Sequence, residues 1–470
     1  MNKPRIFTAK TFLGLATFCI PALCLLFRPF SFTAAQSLLL GALLQCILCW
    51  ATNLVGRGIV STYLLLCFLF IGSAKPLQVF SFIFAPTELF SRNFLFLSEN
   101  FIFIFSSFLL STAITKSGLA DRLARTAFVK FAKTPVSVVR FSFIAGTLLI
   151  FLIPQSFPRV MVMASLYLSF FDRIKISPKM KSALLFSIFV ATLAGIPLFI
   201  NGDIIMSYAA LGFAGTTLSY LGWLKYMFVP SFLLMVVMYF IFNLLFGIKK
   251  EQFELLEKKQ DDKGIAESSS KLLPNEKKVI VTSAVLIILW ITEGLHGIAS
   301  AHVAGLIVIA LFLLRVLSLP DLKVVNFSLM MYLTAAFSIG RVLSANGMAG
   351  VINSYVFRLL PDANSIFYYV VMALVIMVLH FILGSVFTTL SIVIPTLISL
   401  PGSDPIMMTL LAVSLVNTQC FMPFHHVTLL IGAGKGYYSQ KETFKFGICM
   451  FFVMMLYIPF VLNQWWRIVF

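Results

Sequence analysis

The chain has 470 residues, 60% of them hydrophobic and only 11% charged, and it carries a net charge of +18. No water-soluble core needs that much apolar surface, so the composition excludes a soluble enzyme or binding domain and reads as an all-α, polytopic membrane protein. The positive excess clusters in some loops and avoids others, and no basic stretch is interleaved with exposed aromatics. It therefore reads as a topology signal from anionic inner-leaflet lipid, not as a nucleic-acid surface.

In chain order, the basic segment Met1 to Lys10 is expected in the cytoplasm. Apolar helices follow at 11–27, 32–55 and 59–83. The first has a basic flank but leads at once into further spans, so it reads as a retained helix and not a cleaved leader. Pro86 to Arg92 is an outer turn, and residues 93–115 form the next helix. Lys116, Arg122, Arg125, Lys130 and Lys133 then make a basic, amphipathic segment suited to the cytoplasmic surface.

Two apolar segments, 135–153 and 157–171, meet at a polar break around Ser156, flanked by Pro154 and Pro158. Each is shorter than the ~20 residues a bilayer crossing needs. Arg173, Lys175, Lys179 and Lys181 stand at the far end, so both flanks are basic. The pair is expected to be a re-entrant hairpin whose tip lies near Ser156. Residues 182–218 are too long for one straight helix. Ala194-Gly-Ile-Pro197 and Asn201-Gly-Asp203 mark a break at membrane depth. A helix at 222–247 is followed by the hydrophilic stretch 249–278, rich in Glu, Lys, Gln, Asp and Ser, which reads as a cytoplasmic linker.

The second half repeats this plan. Helices are expected at 279–296, 299–316 and 326–345, with Arg358 and Asp362 in a loop. A second hairpin, 365–384 and 386–400, has its tip at Ser385 and few lysines at its flanks, which puts those flanks outside. The segment 405–434 is interrupted near Cys420 to His426 by Pro423. Lys435, Lys441 and Lys445 return to the cytoplasm, and a helix at 446–464 leaves the C-terminus outside.

An offset of 229 positions lays Gly118-Leu119-Ala120 on Gly347-Met348-Ala349 and Ser156 on Ser385. Paired broken segments at matching places in two halves point to the binding site of a secondary transporter, because irregular backbone survives at membrane depth only when protein buries it or it lines a wet cavity. The fold expectation is about eleven transmembrane helices plus two re-entrant hairpins in an inverted repeat. The parts are 1–92 (scaffold helices), 93–248 (first repeat), 249–278 (linker), 279–325 (scaffold helices) and 326–470 (second repeat).

Over nearly its whole length, and most clearly from helix 93–115 onward, the chain resembles the divalent-anion/sodium symporter family, which carries dicarboxylates, citrate or sulfate. Ser111-Thr-Ala-Ile-Thr-Lys-Ser-Gly-Leu-Ala120 is similar to the helix before the family's inner hairpin. Gly384-Ser-Val-Phe-Thr-Thr-Leu-Ser-Ile-Val-Ile-Pro395 resembles its outer-hairpin motif, and Gly432-Ala-Gly-Lys-Gly-Tyr-Tyr-Ser439 the glycine- and tyrosine-bearing segment after the last broken helix. The resemblance implies a homodimer in the lipid bilayer, for instance a bacterial inner membrane. It also implies an elevator movement of a hairpin-bearing transport domain against a scaffold, a small anionic substrate, and sodium held by backbone near Ser156 and Ser385.

The family's tips read Ser-Asn-Thr, and those side chains meet the substrate carboxylates. Here the tips read Ser156-Phe157-Pro158 and Ser385-Val386-Phe387, and the polar Thr-Pro-Pro-Asn pattern of the broken helices is also incomplete. Dicarboxylate specificity and sodium coupling are left open.

Ser156, Arg159, Asn201, Ser385, Thr388, Thr389, His425 and His426 are the candidate substrate-binding residues. Arg159 lies three residues past the first tip, where a charge costs about 2.5–3.5 kcal/mol or more. Its guanidinium either meets an anionic substrate and replaces sodium's charge, or pairs with a neighbouring carboxylate or snorkels to the surface. His425 and His426 fit proton coupling or the capping of a helix break. Thr388 and Thr389 fit an anion or their own helix backbone. Asp203 reads as a helix cap or a proton or cation carrier. His380 reads as packing, and Lys435 and Tyr437 as surface anchors. Cys46 and Cys49 form a CxxC with no second Cys or His pair nearby, and read as a packed helix face. No nucleotide motif, nucleophile-base pairing or metal cluster appears, so neither an enzyme nor an organic cofactor is expected. The function expected is secondary transport of a small anion, by symport with sodium, sodium-independent exchange or proton coupling. The reading from another class is a transport-inactive relative acting as sensor or scaffold.

Overall fold

In a computed structural model, the protein is described over residues 17–52, 55–72, 74–84, 97–119, 122, 128, 131–172, 174–248, 253–255, 272–348, 350–351, 361, 365–400 and 403–469. The basic residues 1–10, the turn Pro86 to Arg92, Arg125, Lys130, Arg173, Arg358, Asp362 and most of the linker lie outside the described residues.

The architecture is all-α. Helices α1 to α5 cover Cys19–Phe27, Ala34–Thr52, Arg57–Phe70, Pro76–Val79 and Glu99–Ser117. Helices α6 to α10 cover Pro135–Leu148, Ser156–Phe171, Pro178–Gly195, Ile204–Phe213 and Tyr220–Phe246. Helices α11 to α15 cover Pro274–Ile291, Glu293–His296, Ser300–Leu313, Phe327–Ala345 and Ile366–Leu383. Helices α16 to α20 cover Val386–Ile398, Pro405–Thr418, Val427–Gly434, Gln440–Tyr457 and Asn463–Val469. Among the described residues, five helical stretches are long and apolar enough to cross a membrane: Glu99–Ser117, Pro178–Leu198, Tyr220–Phe246, Phe327–Ala345 and Gln440–Val469.

The starts follow local chemistry. Thr134 accepts from the Ser137 amide with Pro135 at the first helical position of α6, and Ser177 accepts from Met180 with Pro178 opening α8. Ser219 and Asn326 cap α10 and α14 in the same way. The apolar segment 59–83 is not one helix: α3 ends at Phe70 and α4 is a single turn that begins with Pro76, which lacks the amide that would continue the ladder. The helix after the linker starts at Pro274, earlier than the hydropathy change at 279, because Glu276 accepts from the Leu273 amide at 2.7 Å and anchors that turn.

The chain divides into two compact units. The first comprises residues 1–101, 209–216 and 326–412. Within it α14 packs on α3, α4 and α16. Small residues let these helices approach: a Cβ on Gly58 would stand 3.0 Å from the Ser328 hydroxyl, and one on Gly340 would stand 3.0 Å from Pro395. Trp50 meets Tyr332 edge-on at 4.8 Å between ring centroids.

The second unit comprises residues 102–208, 217–325 and 413–470. Its centre is α8, whose residues Ala183 to Gly195 are all buried. A helix with no polar face is enclosed on every side, and α8 is enclosed by α6, α7, α10 and α18. Phe186 on α8 gathers Phe242, Phe246, Tyr438 and Phe446. Ser142 joins Tyr167 at 2.7 Å and Ser187 at 2.8 Å, which ties α6, α7 and α8 together by hydroxyls. The strands β1 (Ile174–Lys175) and β2 (Glu254–Leu255) pair antiparallel.

Gly118 and Gly347, the residues matched by the 229-position offset, both have left-handed backbone, with φ of 75° and 71°. Glycine takes this conformation without a Cβ clash.

Candidate functional site

In the second unit, α6 runs out through a tight turn at Leu149–Phe151, and α7 begins at Ser156. The helix break opposite follows a similar course. After α8, Pro197 sits in a 3-10 turn, Phe199 is extended, and Gly202 donates to the Phe199 carbonyl at 2.8 Å before α9 starts at Ile204. The Ile204 amide donates to the Pro154 carbonyl at 3.0 Å, so the two breaks are stitched to each other.

Arg159 completes the stitch. It is fully buried, and its two terminal nitrogens donate to the Ile153 carbonyl at 2.9 Å and the Gly202 carbonyl at 2.8 Å. It does not snorkel. Its third nitrogen, Nε, is buried without a hydrogen-bond partner. The fork geometry of guanidinium allows one side chain to hold two carbonyls from different segments; a lysine presents a single point charge.

Asp203 sits at the same junction, partly buried. Its Oδ2 accepts the Ser156 hydroxyl at 2.5 Å and stands 3.4 Å from the Ser156 amide. Its Oδ1 accepts from the Met206 amide at 3.4 Å. One carboxylate thus bridges the N-termini of α7 and α9, where orphan amides and the helix dipole favour negative charge. Asp203 also acts electrostatically on Arg159 and on His426.

Asn201 is buried beside Gly202, with Nδ2 3.5 Å from the Ile150 carbonyl and Oδ1 unpartnered. It lines a small cavity of about 20 Å³ with Pro154, Thr282, Ser283 and Trp290, room for one water-sized group. The second break, between α17 and α18, carries the histidines. His426 caps α18: its Nδ1 accepts from the Thr428 amide at 3.3 Å and meets the Thr428 hydroxyl at 2.7 Å. His425 is fully buried and accepts from the Met422 amide through Nδ1 at 3.3 Å. Ser156, Arg159, Asn201, His425 and His426 therefore all belong to this unit.

The remaining candidates belong to the first unit. There Gly384 ends α15 in the left-handed region and Ser385 opens α16. Thr389 donates to the Ser385 carbonyl at 2.9 Å and meets Nδ1 of the buried His380 at 2.8 Å. Thr388 accepts from Tyr332 at 3.1 Å. Both threonines are engaged inside the protein. Lys435 is exposed and Tyr437 half-buried. Cys46 and Cys49 are buried on α2 as free thiols.

Sequence reading singled out the serine, the arginine and the asparagine of the first junction but did not join them. Asp203 was visible only as a cap or carrier, and the Ile153 and Gly202 carbonyls carry no signal in side-chain identity. The two glycines, Gly195 and Gly202, and the intervening Pro197 were the available pointer to a break that exposes carbonyls.

These features define an integral, multi-pass helical membrane protein with broken helices that hold a buried arginine and a partly buried aspartate against backbone termini. The chain belongs to the family described as sodium:sulfate symporter transmembrane region, whose model matches residues 8–470. The resemblance read from the motifs is thereby borne out, and the protein stands among membrane transporters of anions. A comparison with individual curated proteins finds no match.

Sodium is the cation in the family's description. At the first junction the Ile153 and Gly202 carbonyls already accept from Arg159. A fixed positive charge between them repels a second cation at close range.

Proposed function

We propose that this protein is a secondary carrier of small divalent anions, such as sulfate or a dicarboxylate, and that it works without sodium. The observation that carries this reading is Arg159, a buried guanidinium that joins the Ile153 and Gly202 carbonyls at the start of α7. A tethered cation there supplies the charge that a bound sodium ion would otherwise bring, and it faces a helix N-terminus suited to an anion. Arginine also suits sulfate and carboxylate by charge and planar donor geometry.

In this reading the pairs α6–α7 and α15–α16 are re-entrant hairpins of an inverted repeat within about eleven spans. The hairpin-bearing segments move as an elevator against scaffold helices in a homodimer. Support comes from the left-handed Gly118 and Gly347 at equivalent places in the two halves and from a helical break at each serine. Ser156 and Arg159 at the start of α7, with Asn201 and His426 at the helix breaks of the same unit, are assigned to the substrate. Sodium independence favours exchange of one anion for another as the driving reaction.

The test is uptake of labelled sulfate, succinate, citrate and phosphate into proteoliposomes, with and without a sodium gradient and with a preloaded counter-anion. Uptake indifferent to sodium is expected. Uptake that requires sodium overturns the role given to Arg159, and uptake of none of these anions favours a transport-inactive relative.

A further inference from the structure

A groove between α6 and α10 shares no residue with the junction. Val136, Arg140, Phe143 and Ile144 recur at helical spacing down one face of α6, and Met235, Val236, Tyr239, Phe240 and Asn243 do so on α10. With Ile248 they line a cavity of about 460 Å³, a size that takes a small ligand. Phe143 meets Tyr239 edge-on at 5.5 Å between ring centroids, and the Thr147 hydroxyl lies 3.4 Å from the Met235 sulfur. This register runs the two helices antiparallel, so the start of α6 stands beside the end of α10. Ile144 and Phe240 are exposed at the rim, and α10 is long and apolar enough to cross a membrane. The cleft therefore borders hydrocarbon.

Its polar groups gather toward one end. Arg140 is exposed and makes no hydrogen bond or ion pair among the described residues. Helical side chains lean toward the N-terminus, which carries Arg140 toward the level of Asn243. Asn243 donates through Nδ2 to the Tyr239 carbonyl at 2.7 Å, and its Oδ1 is buried without a partner. Lys133 is exposed just before α6, and Lys445 from α19 donates to the Leu245 carbonyl at 2.6 Å near the end of α10. The other end, at Ile144, Met235 and Val236, is apolar. An unpaired guanidinium beside lipid tails is costly, and so is a buried carbonyl oxygen with no donor.

We propose that this groove is a binding site for an anionic phospholipid with a hydroxyl-bearing headgroup. The phosphate pairs with Arg140, a headgroup hydroxyl donates to Asn243 Oδ1, and an acyl chain lies along Phe143, Ile144, Met235 and Val236. The guanidinium fork can meet two phosphate oxygens at once. Basic sites between spanning helices are suited to such headgroups. A free anion would satisfy the charge and leave the cleft unfilled, and a zwitterionic lipid would fill the cleft with its own cation set against Arg140. The site is independent of what the protein carries, since neither Ser156 nor Arg159 takes part in it.

The test is native mass spectrometry of the full-length protein in detergent, titrated with phosphatidylglycerol or with phosphatidylcholine of the same chains. Wild type is expected to prefer phosphatidylglycerol by about tenfold, and Arg140→Gln to lose that preference while binding phosphatidylcholine as before. Soluble glycerol phosphate, which lacks the chains, is expected not to displace the lipid. Ile144→Trp, which fills the apolar end, is expected to weaken the binding of phosphatidylglycerol with Arg140 intact. It keeps the proposal testable should Arg140→Gln fail to fold. Equal binding of the two lipids by wild type overturns the proposal, and so does a preference that survives either substitution. Displacement by glycerol phosphate points to a free-anion site and overturns it as well. A change in the ratio of monomer to dimer in Arg140→Gln, with lipid binding unaltered, makes this face a contact between copies of the chain instead.

Discussion

Ser156 donates its hydroxyl to Asp203 at 2.5 Å across 47 positions of chain, and this bond joins the start of one helix to the break before another. A hydrogen bond to a charged group contributes about 1.5–3 kcal/mol. Ser156→Ala is expected to cost that much and Ser156→Thr far less, as read from thermal unfolding in detergent. A Ser156→Ala melting point equal to wild type would sink the idea that the junction depends on this bond.

Gly202 lies where the chain doubles back. A Cβ there collides with the Ile196 carbonyl and comes within 2.8 Å of Ile196 Cα, and neither is the end of a flexible side chain. Gly202→Ala is expected to cost about 1–3 kcal/mol by overpacking. It also pulls the Gly202 carbonyl away from Arg159, so sulfate uptake should fall even where the variant still folds. Normal uptake with lowered stability would separate the fold of the break from its function.

Thr389 links the second tip to its supporting helix through the Ser385 carbonyl and His380. Thr389→Val keeps the volume and removes both bonds. A loss of about 1–3 kcal/mol is expected, with Thr389→Ser close to wild type, because a buried polar group stripped of its partner keeps its desolvation cost. Chemical unfolding of the three forms side by side makes the comparison.

Lys116 and Asp321 form an ion pair at 2.8 Å near the end of α5. The Lys116 hydrogen bond, followed by those from the Ser318 hydroxyl and amide, holds the Asp321 carboxyl well below the usual range, at about 2. A depressed carboxylate stabilises the fold above its unfolded value of about 3.9, and that contribution is lost as pH falls toward about 2. Melting points taken across this acid window should show a small decline in wild type that Asp321→Asn lacks. Salt should weaken the effect, since the pair is solvent-facing.

Hydropathy and charge by themselves determined that the chain is a helical membrane protein, and roughly where its apolar helices lie. The reason is local. Every backbone amide inside lipid must be satisfied within its own segment, so apolar runs become helices, and Pro154, Pro197 and Pro423 mark where the ladder fails. The capping residues Thr134, Ser177 and Asn326 are equally local. What only the tertiary structure decided is which group fills each broken ladder. Arg159 bonds to Gly202 from 43 positions away, and its choice between substrate, carboxylate and surface depended on carbonyls that no side-chain pattern reports. Asp203 could be read as a cap or as a carrier, and the geometry shows the cap: it caps α9 and also reaches Ser156 at the start of α7. Charge and hydrogen-bond partners converge there through folding, because a buried ion is tolerated only where distant segments bring it donors and acceptors.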